Sequence, residues 1–467
     1  MNSQTEESGS GKKHEVTIYI SNMSEDVWPF ISAMSDPDAR RYEIEENATL
    51  SDRDLFAFAG EDHLLFISPK PVSREFQLYY LSLFGNTDFI ELTPRQHSGE
   101  ICKDILRDET IMQAIVRAAN SSKRLTVIPY VTSMQFLRLV EELRSRELDI
   151  FTPESPEEED AWTVNFYGSK SGIRQLAQKS SAAEPDFAMP DGLICVNVLD
   201  ASRIAAKKYL RNQGVVLKTN KGHSGAGLLI FRPGDLPVSY HACAQEILET
   251  LKKDAYWDRF PIVIEDYIAT NPQVAGGNPN VEFKIYKSGR IDFLYYCILR
   301  VTDSGVFKGI EISSGVMPDR VAAQLVDTGF FIAEQFAGAG YRGYFDVDYV
   351  AGRSGKLYVT ESNVRRTGGT HVYHVAVALF GKDFMYRTYV LSNNLYPLPN
   401  KKKISSFSRA LECIKPVLYD RKTGEGVILA SERVISIGCL AYIVFGRTER
   451  RALEIEREME SLIAAKD

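Results

Sequence analysis

From residue 14 onward, short apolar runs alternate with stretches of helical periodicity. "EVTIYISN" and "HLLFISP" read as buried strands bounded by turn residues. "DILRDETIMQAIVRAANSS" places apolar residues at helical spacing and stops at Asn120 and Ser121. "RLTVIPYV" is a further β-run, and "TSMQFLRLVEELRSREL" is an amphipathic helix with Thr132 or Ser133 available as N-cap. Strands alternating with helices predict an open α/β unit over residues 15–160. It contains no GxGxxG, so a dinucleotide-binding role has no support. The polar residues 1–14 are expected to be disordered.

Two interruptions divide the rest. "TPESPEEEDAW", Thr152 to Trp162, is an acidic connector containing prolines, expected to be a solvated linker and to mark the first boundary. "NNLYPLPNKKK", Asn393 to Lys403, marks a second, giving a central unit over 161–392 and a small C-terminal α/β unit over 393–467. The tail holds β-runs in "GEGVILASE" and "VISIGCLAYIVFG" and a charged helix in "TERRALEIEREMESLIAA". No internal repeat is visible.

The net charge of −7, with no long Lys/Arg tract, argues against nucleic acid as a partner. Six cysteines without a CxxC pair, and an N-terminus without an apolar stretch, lead to the expectation of a cytoplasmic protein. The longest apolar run, "VISIGCLAYIVFG", is too short to span a bilayer, so no membrane role is expected.

The central unit carries the candidate chemistry. In "NFYGSKSGIRQL", Lys170 sits at a predicted helix start. In "VVLKTNKGHSGAGLLIF", a β-run ends at Lys218, a glycine-bearing loop follows, and a second β-run leaves it. Glycines let backbone N–H groups approach phosphate oxygens, and the lysine adds positive charge. The pattern is not GxxxxGK[ST], and an ordinary β-hairpin turn uses the same glycines. "FPIVIEDYI" is a buried strand ending in Glu265 and Asp266. Finally, "GYFDVDYV" and "LYVTESN" predict a hairpin, with Asp346 and Asp348 sharing one face and Glu361 and Asn363 sharing one face. Carboxylates with an amide oxygen, and no His or Cys among them, suit Mg²⁺. Two polar loops close in sequence would be the alternative.

Taken in order, Lys170, Lys218 with its glycine loop, the Glu265 strand end and the Asp346/Glu361/Asn363 cluster resemble the ATP-grasp superfamily over roughly Asn165 to Phe380. The resemblance implies an α+β fold with a two-lobed central domain, its lid lobe at about 195–268. It also implies that Lys170 and Lys218 contact ATP phosphates and that Gly222, Ser224, Gly225 and Gly227 close over them. Glu265, Asp266, Tyr267 and Ile268 would line the adenine. Asp346, Glu361 and Asn363 would hold Mg²⁺, two ions in all, with Mn²⁺ as a substitute. Arg365 or Arg366 would meet the transferred phosphoryl group. Tyr344 stands where D-alanine ligases carry an arginine, so Arg300 and Lys284 become candidates for the oxyanion and substrate contacts. No ribose-binding acid is evident in "ATNPQVAGGNPN".

An α/β unit before Lys170 and a small unit after the metal strands look like the pheganomycin-type peptide ligases. That layout implies a carboxylate–amine ligase working through an acyl phosphate on an amino acid or peptide. An ATP-grasp phosphotransferase would use the same ATP site, and a non-catalytic ATP-binding regulator is the third alternative. Gly368, Gly369, Thr370 and His371 are expected to line the acceptor pocket. His371 and His374 form an HxxH without further zinc ligands in the sequence. The oligomeric state is left open, a homodimer included.

Overall fold

The computed structural model describes residues 14–85, 89–223, 226–302, 305–401 and 403–465. Residues 1–13, expected to be disordered, lie outside the described residues, as do Ser224 and Gly225 of the glycine loop.

The first sheet contains β1 (His14–Ile20), β2 (Leu64–Ile67), β3 (Phe89–Leu92), β4 (Ser122–Pro129) and β5 (Ile150–Phe151). All are parallel, in the order β3-β2-β1-β4-β5. The helix expected over Asp104 to Ser122 is two, Ile101–Arg107 and Glu109–Ser121. Asp108 leaves helical geometry between them, and its Oδ1 accepts from Thr110 N at 3.1 Å, capping the second helix. Ser133 caps the helix Met134–Ser145, accepting from Phe136 N at 2.9 Å.

A second sheet is antiparallel, in the order β6-β9-β7-β8, from β6 (Gly192–Cys195), β7 (Val215–His223), β8 (Ala226–Phe231) and β9 (Ile262–Asp266). Helices Val198–Asn212 and Tyr240–Leu251 cover it around Leu217, Ile247 and Ile264.

The third sheet joins β10 (Pro279–Ile285), β11 (Ile291–Val301), β12 (Phe307–Ile312), β13 (Gly343–Ala351), β14 (Leu357–Asn363), β15 (Tyr389–Pro397), β16 (Gly426–Ser431) and β17 (Cys439–Gly446). Its order is β14-β13-β10-β11-β12-β15-β17-β16. The boundary expected at Asn393 falls inside β15, so the C-terminal segment extends the central sheet. "VISIGCLAYIVFG" forms one strand after a 3-10 turn. Among the described residues, no helix is long and apolar enough to cross a membrane.

Alternation sorts the two faces of this sheet. Val281, Phe283, Phe345 and Val347 are fully buried on the face covered by the helix Asp319–Gly338. Gly329 of that helix meets the Phe283 ring, where a Cβ would clash. Asn280, Glu282, Asp346 and Asp348 point the other way.

The acidic connector is not a solvated linker. Glu154 is buried and accepts from Arg366 Nε and Nη2, each at 3.0 Å, and from Lys284 Nζ at 2.7 Å. Burial pushes the Glu154 carboxyl up, but Arg366 and Lys284 outweigh it and hold the group below the usual range. This triad ties the connector to β10 and to the segment after β14.

Replacing Glu154 with Gln strands two buried cations. Urea unfolding of Glu154→Gln should show a loss of about 3–5 kcal/mol. Because the Glu154 pKa is lower folded than unfolded, its stabilisation is present above the ordinary glutamate pKa of about 4.3 and fades as pH falls below it. The stability gap between wild type and variant should therefore shrink on acidification; a gap independent of pH would remove the triad from the account.

Candidate active site

The hairpin of β13 and β14 forms as expected, but simple alternation would not have built the site. Leu357 and Val359 face the core, and Glu361 and Asn363 have the same parity. A bulge resolves the conflict. Tyr349 pairs with Val359 and Asp348 with Glu361, which leaves Thr360 as the extra residue. Its hydroxyl donates to the Asp348 carbonyl at 3.2 Å. After the bulge, Glu361 and Asn363 stand on the same face as Asp346 and Asp348.

Two rows of oxygen-bearing side chains result. Asn280, Asp348 and Glu361 are opposite one another across β10, β13 and β14, and Glu282, Asp346 and Asn363 form the next row. Each row sets two carboxylates directly opposite each other or one strand apart, an arrangement that repels. Amides separate them in part: Asn280 Nδ2 donates to Asp348 Oδ1 at 2.7 Å, and Asn363 Nδ2 donates to Asp346 Oδ1 at 2.9 Å and Asp348 Oδ2 at 3.1 Å. Thr370 and Thr367 hydroxyls donate to Glu282 at 2.6 and 2.9 Å.

The charges do not balance within the nest. Burial and then Glu282 push Asp346 up to about 7. Burial, Asp346 and Glu361 push Asp348 well above the carboxylate range. Glu361 is different: burial would raise it, but Lys170 and Lys218 hold it down to about 2. Lys170 Nζ lies 2.8 Å from Glu361 Oε2 and begins the helix Lys170–Ser180, capped by Ser169. Lys218 Nζ reaches across from β7, 2.8 Å from Glu265 Oε2 and 3.3 Å from the carbonyl of the bulge residue Thr360. Arg174 also pairs with Glu265, and the two cations keep that carboxyl low against its burial.

Lys170, Lys218, Glu265, Asn280, Asp346, Asp348, Glu361 and Asn363 line one cleft of about 1060 Å³ between the second and third sheets, closed on a further side by the first, while Glu282 is fully buried. Gly222, Gly227 and the strand end Glu265 to Ile268 line it, as do Gly368 and Gly369. A Cβ on Gly368 would come 2.5 Å from Phe307, and one on Gly369 would run into the Tyr295 hydroxyl. Only glycine allows the backbone that close to those rings.

The two adjacent arginines diverge. Arg365 enters the cleft, its Nη2 3.1 Å from Asn363 Oδ1 and its Nε 2.6 Å from Asp26 Oδ2. Arg366 turns away into the Glu154 triad and stacks 4.4 Å from the Tyr344 ring centroid. Its expected place at the reacting group is not where the structure puts it. Arg300 is displaced as well: Leu299 and Val301 line the cleft, while Arg300 forms a two-point pair with Glu456 at 2.6 and 3.0 Å on the C-terminal helix Glu449–Ala464. Lys284 is taken by Glu154, Thr370 holds Glu282, and His371 is buried off the cleft wall with neither ring nitrogen hydrogen-bonded.

Several residues at the site carried no sequence signal. Asp26 ends the short helix Met23–Asp26 and accepts from both Arg365 and, at 3.4 Å, Lys221. Burial opposes its ionisation, yet Lys221 and Arg365 hold it at about 2. Glu282 and Asn280 were hidden inside a run that reads only as a strand.

No family model matches the chain. An L-propargylglycine–L-glutamate ligase of Streptantibioticus cattleyicolor is 24% identical over 351 residues, spanning 70% of this chain and 67% of the relative. Among solved structures, the biotin carboxylase domain dimer of Hydrogenobacter thermophilus 2-oxoglutarate carboxylase, with MgADP, ADP and bicarbonate, matches with TM-score 0.54 and 14% identity, over 95% of this chain and 89% of that one. The N5-carboxyaminoimidazole synthase of Aspergillus clavatus, with ADP and 5-aminoimidazole ribonucleotide, matches with TM-score 0.53 and 10% identity, over 97% and 99%. The chain shares its fold with these solved enzymes.

The donor set suits a hard divalent cation. It is all oxygen, partly buried and negatively overcharged. Among the described residues no three His, Cys, Asp or Glu converge as a complete metal site, so the amide of Asn363 and oxygens from a bound phosphate are needed to complete the shell.

Two substitutions separate the halves of the site. Glu361→Gln should keep the fold by circular dichroism and lower ATP turnover by about 100-fold or more, by analogy with loss of one preorganised charge contact. Lys218→Ala should weaken MgATP binding about tenfold or more in calorimetry. Wild-type turnover in the first, or unchanged affinity in the second, would dissolve the assigned division between metal nest and phosphate contact.

Proposed function

We infer that the protein activates a carboxylate with ATP and transfers it to an amine, making a peptide or amide bond on an amino acid or peptide. The observation that carries this is the meeting of two lysines from separate elements with a two-row acidic nest across one cleft. Such a site is shaped to hold a triphosphate and its cation, and the similarity to an L-propargylglycine–L-glutamate ligase supports the reading.

Carboxylates do not condense with amines in water because the leaving oxygen is too basic. In the proposed reaction a substrate carboxylate oxygen attacks the γ-phosphorus and ADP leaves. The amine then attacks the acyl carbon, phosphate leaves, and the amine gives up a proton. Positioning and charge neutralisation supply the catalysis, and no nucleophilic side chain is required. Asp346, Asp348, Glu361 and Asn363 would hold Mg²⁺, two ions in this proposal, which would supply positive charge to the phosphate oxygens.

The chain's own residues do the rest. Lys170 and Lys218 neutralise phosphate oxygens, and Glu265 with Arg174 fixes the height of Lys218. Arg365 faces the transferred group, and Asp26 sets its orientation from the first sheet. Tyr267 and Ile268 line the end of the cleft assigned to adenine. In domain terms, residues 15–160 close the substrate end and 161–392 carry the ATP-grasp machinery. The tail over 393–467 completes the sheet that supports it.

A hydroxylamine trap tests the proposal. Protein, ATP, Mg²⁺ and pooled amino acids or other small carboxylates should yield hydroxamate and ADP in wild type and neither in Glu361→Gln. A stable phosphorylated product without hydroxamate would replace ligation with phosphotransfer.

A further inference from the structure

Arg53 lies on the 3-10 turn Ser51–Phe58 of the first unit, is only 5% exposed, and lines the cleft. Buried arginines are nearly always paired. This one has no such pair: its Nε has no hydrogen-bond partner, no ion pair joins it to a carboxylate among the described residues, and its charge only opposes the burial that raises the neighbouring Asp54. The acids on either side are committed elsewhere. Asp52 accepts from Glu432 N and Arg433 N at 2.8 and 3.0 Å, and Asp54 accepts from Tyr19 and Ser21 hydroxyls, each at 2.7 Å. The cation is nevertheless felt across the cleft wall: burial raises the Tyr130 hydroxyl, with Arg365 and then Arg53 opposing it, and burial followed by Arg53 lowers His371.

The opposite charge waits on the same wall. Glu43 and Glu46 sit one turn apart on the helix Pro37–Thr49 and line the cleft. Glu43 Oε2 is buried without a partner, and burial with Glu46 pushes the Glu43 carboxyl up to about 7. Glu43 and Glu46 stand on the helix Pro37–Thr49 and Arg53 on the 3-10 turn that follows it, so the two charges come from separate elements. An unpaired guanidinium suits a carboxylate, and an unpaired carboxylate pair suits an ammonium group.

Resting on the ligase reading for its place in the reaction, we propose that the first unit carries the amino-acid subsite of this cleft. Arg53 anchors a carboxylate of an α-amino acid or short peptide, and Glu43 with Glu46 receives its ammonium group. The arginines near the metal nest are occupied by Asp26, Glu154 and Glu456, so substrate recognition falls to an arginine outside the central unit.

The test uses the full chain saturated with MgADP. Pools of the twenty proteinogenic L-amino acids and of Gly-X and X-Gly dipeptides are screened by saturation-transfer NMR, and each binder is titrated by calorimetry against its carboxamide analogue. At least one member should bind. Arg53→Gln should weaken it about tenfold or more, Arg53→Lys should recover part of the loss, and the carboxamide should bind weakly and be insensitive to Arg53→Gln. Glu43→Gln combined with Glu46→Gln should weaken the same ligand while MgADP affinity stays within about twofold. No binder in either pool, an Arg53→Gln variant that binds as wild type, or an equal loss of MgADP affinity in Arg53→Gln would overturn the subsite. Hydroxamate production is read separately. Arg53-dependent binding without hydroxamate sinks the ligase reading alone, and hydroxamate with an unchanged KM for the donor in Arg53→Gln sinks the subsite alone.

Discussion

The extra residue at Thr360 is the constraint on which the site depends. Without it, Glu361 and Asn363 would share the buried face of Leu357 and Val359, and the sheet would have no acidic nest. With it, Asp348 and Glu361 stand directly opposite each other, and Glu282 stands opposite Asp346. Like charges so placed repel in a partly dry cleft. The fold must bring cations to them, and Lys170 arrives from a helix packed on β14 while Lys218 arrives from a strand of the second sheet. The bulge also supplies the backbone carbonyl that Lys218 reaches, so one irregularity both creates the negative charge and fixes part of its answer.

The same logic explains why two neighbouring arginines have different roles. Beyond Asn363 the chain leaves the sheet, and consecutive side chains fall on opposite sides of it. Arg365 returns to the nest and is shared with Asp26. Arg366 leaves for the interior, where Glu154 and Lys284 complete a buried triad. The first unit is thereby bound to the central sheet by ion pairs at the cleft, through Asp26, and behind it, through Glu154 and through Glu157 with Lys287. Moving that unit would expose or strand charges at both, so the wall carrying Arg53 and Glu43 is held in register with the nest.

Much of this architecture was legible in the sequence where a local signal existed. β1, β2 and β4, the Ser133 cap, the β13–β14 hairpin and the positions of Lys170 and Lys218 follow from periodicity and turn chemistry. Alternation identified which aspartates share a face. It could not show that a bulge flips the end of β14, because the extra residue, a threonine, is an ordinary strand former. Long-range pairing was equally invisible. Arg300 looked free until Glu456 met it from the C-terminal helix, and Glu154 looked solvated until the central sheet closed over it. Arg53 escaped notice for the opposite reason: its significance is the partner it lacks.

In the proposed reaction, the nest and the lysines exchange partners. Lys170 is paired with Glu361 and Lys218 with Glu265 and Thr360, so neither charge is idle. A triphosphate entering alone would have to draw the lysines away and leave Glu361 and Glu265 without those cations. A divalent cation bound with it would relieve Asp346 and Asp348, which burial and neighbouring carboxylates push up. The two ligands therefore stabilise each other's binding through the same side chains. In that reaction the acidic nest and the two lysines would act as a single device, each sign of charge holding the other in place.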